Sequence, residues 1–214
     1  MNHLDNAFLL VGFLEIALVM FMQWEVYITN IIKTFSISSY LIAILFLIVG
    51  FINKESYILV LAALTALTRG WLIPFYLKRI LRKDKWRARE TSPLVGISSS
   101  ILISLLIAVV GYLLYSLTLS NYIKSNLGSI PITLMLQGMF LIISRSSTFT
   151  QLIGYLIMEN AMYMFGYIFP ELPFIVEAGI VLDLLGVVMI SGAIIRLRED
   201  VIKNGSEEYT ELKG

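Results

Sequence analysis

Five ionisable side chains interrupt long apolar stretches of this sequence. They are Glu15, Arg69, Glu159, Glu177 and Asp183. An ionisable residue at bilayer depth is energetically expensive and commonly marks an ion or proton pathway. Low dielectric favours the neutral form of a carboxyl group, whereas a neighbouring cation favours the charged form. Carboxyl groups and one arginine in such stretches therefore predict a proton relay. The alternative is that these charges pair only to hold helices together.

The positions of the three later carboxyl groups set their expected roles. Glu159 lies halfway along its stretch, about 15 Å from either end of a helix, and Asn160 adds a second polar group. Asp183 lies at similar depth in the next stretch, and Glu177 lies nearer its outer end. At about 100° per residue these two point roughly 120° apart. They either occupy successive positions along one proton path or contact different partners.

Arg69 and Glu15 occupy earlier stretches. Pro74 follows Arg69 and lacks a backbone N–H, so it is expected to kink the helix and free a carbonyl near the arginine. Thr65 and Thr68 are expected to help satisfy the polar groups there. Arg69 is either part of the path or a structural counter-ion, and Glu15 either joins the path or faces a partner chain.

The composition indicates where these stretches reside. Apolar residues make up 58% of the chain and charged residues 14%, against about 25% charged in soluble domains. This predicts an all-α integral membrane protein, a bundle of about seven transmembrane helices, the first of them retained because it lacks a cleavage signal. The predicted spans are Leu4–Met22, Phe35–Ile52, Tyr57–Leu77, Leu94–Leu119, Leu127–Ser144, Phe149–Phe169 and Leu172–Ile195.

The basic residues predict the orientation. A run of lysine and arginine from Lys78 to Arg89 marks the loop after the third span as cytoplasmic. Counting spans outward places the N terminus outside and the C terminus in the cytoplasm. The chain then divides into a four-helix membrane region (1–126), a three-helix membrane region (127–198) and a polar cytoplasmic tail (199–214).

The sequence lacks the residues that several kinds of catalysis and metal binding require. The chain has no cysteine and its single histidine is His3, so zinc, haem and iron–sulfur ligands are missing. There is no P-loop, dinucleotide fingerprint, metalloprotease motif or catalytic serine set. The formal net charge of +1 points to no nucleic-acid partner. We therefore expect neither a catalytic centre nor a cofactor in this chain.

Two segments resemble a known family. GYLIMENAMYMFG (154–166) and LPFIVEAGIVLDLL (172–185) resemble the E membrane subunit of hydrogenase-4-type complexes. Its last three helices are similar to the K subunit of respiratory complex I and the C subunit of multisubunit sodium/proton antiporters. Arg69-Gly-Trp-Leu-Ile-Pro also resembles the family's third helix, where a lysine is more usual.

The resemblance implies a multi-pass subunit of a prokaryotic inner or plasma membrane, in an energy-converting hydrogenase or formate hydrogenlyase. The expected partners are antiporter-like and other membrane-arm subunits and a peripheral hydrogenase arm that carries nickel–iron and iron–sulfur centres. Glu159 corresponds to the family's first axis glutamate, about one helical turn late. Glu177 matches the family's second axis glutamate by its neighbouring residues, and Asp183 matches it by its depth in the helix. One alternative is a structural scaffold subunit of the same membrane arm. Another is a stand-alone transporter, but the sequence shows no inverted repeat of the kind that many transporters have.

Overall fold

The protein is described by a computed structural model, which covers residues 3–81, 94–120 and 126–168 together with Gly186 and Gly192. Within this part, six helices account for nearly all residues. They are α1 (His3–Trp24), α2 (Ile28–Asn53), α3 (Ser56–Leu81), α4 (Ile97–Leu114), α5 (Ser129–Ser144) and α6 (Thr148–Ile168). A π-helical segment, Tyr115–Leu119, continues α4. The predicted seventh span and the tail lie outside the described residues, apart from the two isolated glycines.

Short turns join α1 to α2, α2 to α3 and α5 to α6, so that the helices of each pair are antiparallel. In the turn between α1 and α2, the Glu25 carboxylate accepts hydrogen bonds from the backbone N–H groups of Val26 and Tyr27, both at 3.0 Å. The turn between α2 and α3 contains Lys54, whose left-handed φ of 57° ends α2. α1 also packs against α4 and α5, and α2 packs against α6. The apolar core therefore extends across both predicted membrane regions.

The bundle buries small and polar side chains within its apolar core and exposes an apolar surface. α4 buries Ser100, Ser104 and Gly111, and it exposes Leu102 and Leu106 by 68% and 64%. Soluble proteins show the reverse pattern, whereas small residues at helix contacts and large apolar residues outside are typical of membrane helices. In the part of the chain that the structure describes, four helices, α1 to α4, are long and apolar enough to cross a membrane.

The remaining helices differ from the predicted spans. α5 has 16 residues, fewer than the roughly 20 that a membrane crossing needs. α6 has 21 residues, but Gln151, Glu159 and Asn160 lower its hydropathy, and it is largely enclosed by its neighbours. The start of α2 was predicted too late. It begins at Ile28, because its polar first turns, with Lys33 and Thr34, remain helical.

α5 and α6 meet backbone to backbone. A Cβ on Gly138 would lie 2.8 Å from the carbonyl oxygen of Gly154, and a Cβ on Gly154 would lie 2.8 Å from the carbonyl oxygen of Gly138. Any side chain at either position would push the two helices apart. Gly186 has Tyr155 of α6 beside it, at 3.3 Å from an added Cβ, whereas an added Cβ at Gly192 would meet none of the described residues within 4 Å.

Candidate functional site

A buried ion pair lies between α3 and α6. Arg69 and Glu159 are 3% and 0% exposed, and an Arg69 Nη2 group contacts Glu159 Oε2. The second terminal nitrogen, Nη1, donates a hydrogen bond to Asn160 Oδ1 at 2.9 Å. One guanidinium group thus holds two successive side chains of α6. Apart from the ion pair, neither Glu159 oxygen has a hydrogen-bond partner among the described residues.

The network continues from Asn160 to α2 and α1. Asn160 Nδ2 donates to Ser38 Oγ at 2.9 Å, and Ser38 Oγ donates to Glu15 Oε2 at 2.5 Å. All three side chains are fully buried. Side chains from α1, α2, α3 and α6 are therefore joined into one buried polar network: Glu15, Ser38, Arg69, Glu159 and Asn160.

The three charged members lie deep in their helices. With a rise of 1.5 Å per residue, each is about 13 Å or more from either end of its helix. That distance exceeds the reach of a glutamate side chain, so neither carboxyl group can extend to an aqueous surface along its own helix. The bundle interior must supply whatever stabilises these charges.

A π-helical segment, Ala66–Leu72, presents Arg69 to this interior. Within it the Ile73 N–H bonds to the carbonyl of Thr68, five residues back, in place of the usual four. Pro74 has no N–H to offer the Gly70 carbonyl, which instead accepts a hydrogen bond from the Ser36 hydroxyl of α2. Such wide turns occur frequently at functional sites because they shift the register of the side chains.

The expected consequences of Pro74 are therefore partly confirmed. A carbonyl next to Arg69 is freed, and α2 satisfies it. Thr65 and Thr68 satisfy polar groups within their own helix: they donate to the carbonyls of Leu61 and Leu64, at 2.8 and 2.7 Å. A threonine in an apolar helix readily bonds back in this way.

One aromatic ring covers the Arg69 guanidinium, and another covers the neighbouring Gly70. The Tyr163 ring lies 4.7 Å from the Arg69 guanidinium carbon, measured to the ring centroid, and packs edge-on against Phe46 at 5.7 Å. Tyr40 covers Gly70, where an added Cβ would lie 2.8 Å from the ring. A ring face attracts a cation and also keeps water away from it. The cation is thereby held in place without access to solvent along these sides.

Three of the five predicted site residues thus come together: Glu15, Arg69 and Glu159. Glu15 is enclosed by its own chain, so the alternative that it faces a partner chain is wrong. Glu177 and Asp183 lie outside the described residues. Ser38 was not predicted as a member, and its only sequence signal is a cluster of serines within the second apolar stretch.

A second buried cation lies at one end of the bundle. Arg145, between α5 and α6, is fully buried and donates to the backbone carbonyl of Gln23 at the end of α1. Its own carbonyl accepts from Gln151 Nε2 at 2.9 Å. A cation at a helix C-terminus satisfies free carbonyls and the negative end of the helix dipole.

Among the described residues, no three His, Cys, Asp or Glu side chains are grouped so that they could hold a metal ion. No family model, curated protein or solved structure matches the chain. The functional argument therefore depends on the geometry of the buried polar network.

Proposed function

We propose that the chain is a multi-pass protein of a prokaryotic inner or plasma membrane, with about seven transmembrane helices and a cytoplasmic C terminus. The apolar surface of the bundle supports this, because it would be unstable in water. Charge placement supports it too. Lys33 near the start of α2 lies close enough to Lys78 near the end of α3 for their charges to interact. Lys78 belongs to the basic run assigned to the cytoplasm, so Lys33 lies at that same end of the bundle.

We further propose that the chain is a non-catalytic, proton-translocating membrane-arm subunit of a complex-I-like energy-converting hydrogenase, as the resemblance to the hydrogenase-4 E family implies. The observation that carries this proposal is the buried polar network, which holds two carboxyl groups and one arginine at mid-helix depth. Glu177 and Asp183 of the proposed seventh helix would extend the path. Nickel–iron and iron–sulfur chemistry would belong to the partner subunits.

The chemistry of the network suits proton movement. Arginine keeps its proton, so Arg69 acts as a fixed positive charge and not as a carrier. A carboxyl group beside it binds and releases a proton as the balance between desolvation and attraction to that charge changes. Movement of Arg69 away from Glu159, or arrival of another charge, would therefore load or unload Glu159.

Proton uptake by inverted membrane vesicles containing the intact complex tests this function. Glu159→Gln keeps the shape of the side chain and removes its ionisation. We expect proton uptake driven by the electron donor to fall at least tenfold, since one carboxyl group of the path can no longer titrate. Glu55→Gln, the same change at the α2–α3 turn outside the network, is the matched control and should pump normally.

The scaffold alternative predicts a different result. If the Glu159→Gln complex assembles fully and pumps at the wild-type rate, the network is structural, and the chain only spaces its neighbours. Electron transfer should be measured alongside, because a tightly coupled complex slows electron flow when the proton path is blocked. A purified chain that binds and transports a solute by itself would instead favour the stand-alone transporter.

A further inference from the structure

With Glu15 ionised, the hydrogen bonds of the network run in one direction. Arginine has no acceptor, so the Asn160 group that faces Arg69 must be the carbonyl oxygen, and the amide NH₂ must face Ser38. Ser38 then accepts from Asn160, and its single proton is left for Glu15 Oε2. Three donors in sequence therefore point from the arginine of α3 towards the carboxyl group of α1. A chain with one polarity transmits the influence of a charge along its length.

The same chain does not carry protons between the carboxyl groups. Each member of a proton wire must accept one proton and release another. The Ser38 hydroxyl can do so, but the Asn160 amide has no readily exchanged acidic proton, and Arg69 keeps its own. Along this series of side chains, a change of charge at Glu159 affects Glu15, but no proton passes from one carboxyl group to the other.

We propose that Asn160 is a positioning residue that couples the charge states of Glu15 and Glu159 through Arg69 while preventing a proton from passing directly between them. This inference rests on the proposed function. One positive charge serves two carboxyl groups. When Glu159 takes up a proton, its negative charge no longer offsets the charge of Arg69. The guanidinium then polarises Asn160 and Ser38 more strongly, which favours the charged form of Glu15. Loading one site thus promotes release from the other.

Among the described residues, Arg69 is the positive charge that the series of hydrogen bonds connects to Glu15. α2 contributes Ser38, and α5 contains no ionisable residue. α4 and its π-helical continuation contain only Tyr112 and Tyr115, near their far end. From α6 the titratable groups at the network are Glu159 itself and Tyr163, whose ring covers the guanidinium. The described elements around Glu15 therefore bring no second cation to mid-helix depth.

A proton-leak measurement provides the first test. Asn160→Asp places a group that can exchange protons between Ser38 and Arg69, whereas Asn160→Leu removes the hydrogen bonds and adds no such group. Vesicles containing the intact complex, without electron donor, are given a pH gradient, and its decay is followed with an internal dye. We expect a several-fold faster decay for Asn160→Asp and wild-type decay for Asn160→Leu, with pumping lowered in both. Equal decay in the two assembled variants would overturn the proposal.

Infrared titration of the complex keeps the proposal testable if the aspartate variant does not assemble. The Glu15 carboxyl band is identified by its loss in Glu15→Gln. We expect Glu159→Gln to shift the pH at which this band titrates by about one unit, and the shift to vanish in the Asn160→Leu background. A shift that persists without Asn160 contradicts the inference.

The two proposals can fail separately. Normal pumping by Glu159→Gln, together with a shift of the Glu15 band that requires Asn160, removes the proposed function and leaves the coupling intact. Lost pumping with no Asn160-dependent shift keeps the function and removes the coupling.

Discussion

Arg69 and Glu159 form their ion pair where neither side chain meets water, and the energetics of such a pair are asymmetric. Desolvation largely offsets the attraction, so the intact pair adds little to stability. Removing one partner leaves the other charge buried without compensation, which costs about 3–5 kcal/mol in proteins studied so far. The pair therefore adds little net stability, while each partner depends strongly on the other.

A double-mutant cycle tests this asymmetry. We expect Arg69→Met alone to lower the free energy of unfolding by about 3–5 kcal/mol, since Glu159 then lacks its counter-charge. Arg69→Met combined with Glu159→Leu should recover more than half of that loss, because no charge remains buried there. Thermal unfolding of the detergent-solubilised protein, followed by tryptophan fluorescence, measures both. Additive losses in the double variant would show that the two side chains do not depend on each other.

The charged members of the network could be predicted from the sequence, and Ser38 could not. A glutamate or arginine within an apolar stretch has no inexpensive alternative to a partner, so its position alone is informative. A serine or threonine in a helix can satisfy itself by bonding the carbonyl four residues back. Thr34 does so with Asn30, at 3.0 Å, in the same helix that supplies Ser38. The sequence does not distinguish these two cases, because the difference lies in which helix packs opposite.

At the scale of the helices, the crossing of α5 and α6 depends on two glycines. The added Cβ of Gly138→Ala would lie 2.8 Å from the Gly154 carbonyl oxygen and 2.8 Å from Met158 Cγ. Alanine favours a helix over glycine by up to about 1 kcal/mol, but overpacking at a close contact costs about 1–3 kcal/mol. We expect a net loss of stability, measurable as a lower unfolding temperature in detergent.

Gly96→Ala is the matched control for that change. An added Cβ at Gly96 meets none of the residues that the structure describes within 4 Å, and its φ of −58° suits alanine. This variant should unfold at or above the wild-type temperature. If Gly138→Ala behaves in the same way, α5 and α6 are not in backbone contact, and the position of Glu159 relative to α3 would need another explanation.

Helices were easier to predict than their irregularities. Apolar length and the polar breaks at Lys54 and after Ser144 located α1 to α6, because each helix must satisfy its own backbone in an apolar environment. Pro74 indicated an irregularity of the helix near Arg69. A missing backbone N–H can be accommodated either by a kink or by a π-helical turn. The hydroxyl of Ser36, which accommodates the freed carbonyl, belongs to a different helix, so the local sequence could not decide between them.

At the scale of the whole molecule, the apolar exterior should behave as a lipid-facing surface. Leu106 lies mid-helix in α4 and is 64% exposed. Arginine at the centre of a spanning helix raises the free energy of insertion by about 2.5–3.5 kcal/mol. We therefore expect Leu106→Arg to reduce the membrane-integrated fraction strongly and Leu106→Ala to leave it near wild type. Extraction of membranes at alkaline pH separates the two fractions, and a soluble, folded Leu106→Arg protein would contradict a membrane location.

The orientation of the bundle can be tested at the two ends of one helix. α2 runs from Ile28 to Asn53, about 38 Å at 1.5 Å per residue, against a hydrocarbon core of about 30 Å. Because the chain has no cysteine, Tyr27→Cys and Asn53→Cys each introduce a single thiol. With the N terminus outside, α2 ascends from the cytoplasm, so a membrane-impermeant maleimide should label Asn53→Cys in intact spheroplasts. Tyr27→Cys should react only after permeabilisation. The opposite labelling pattern would mean that the orientation is inverted. Labelling of both variants in intact spheroplasts would mean that α2 does not span the membrane. In that case the depth assigned to Glu15 and Ser38 would be wrong.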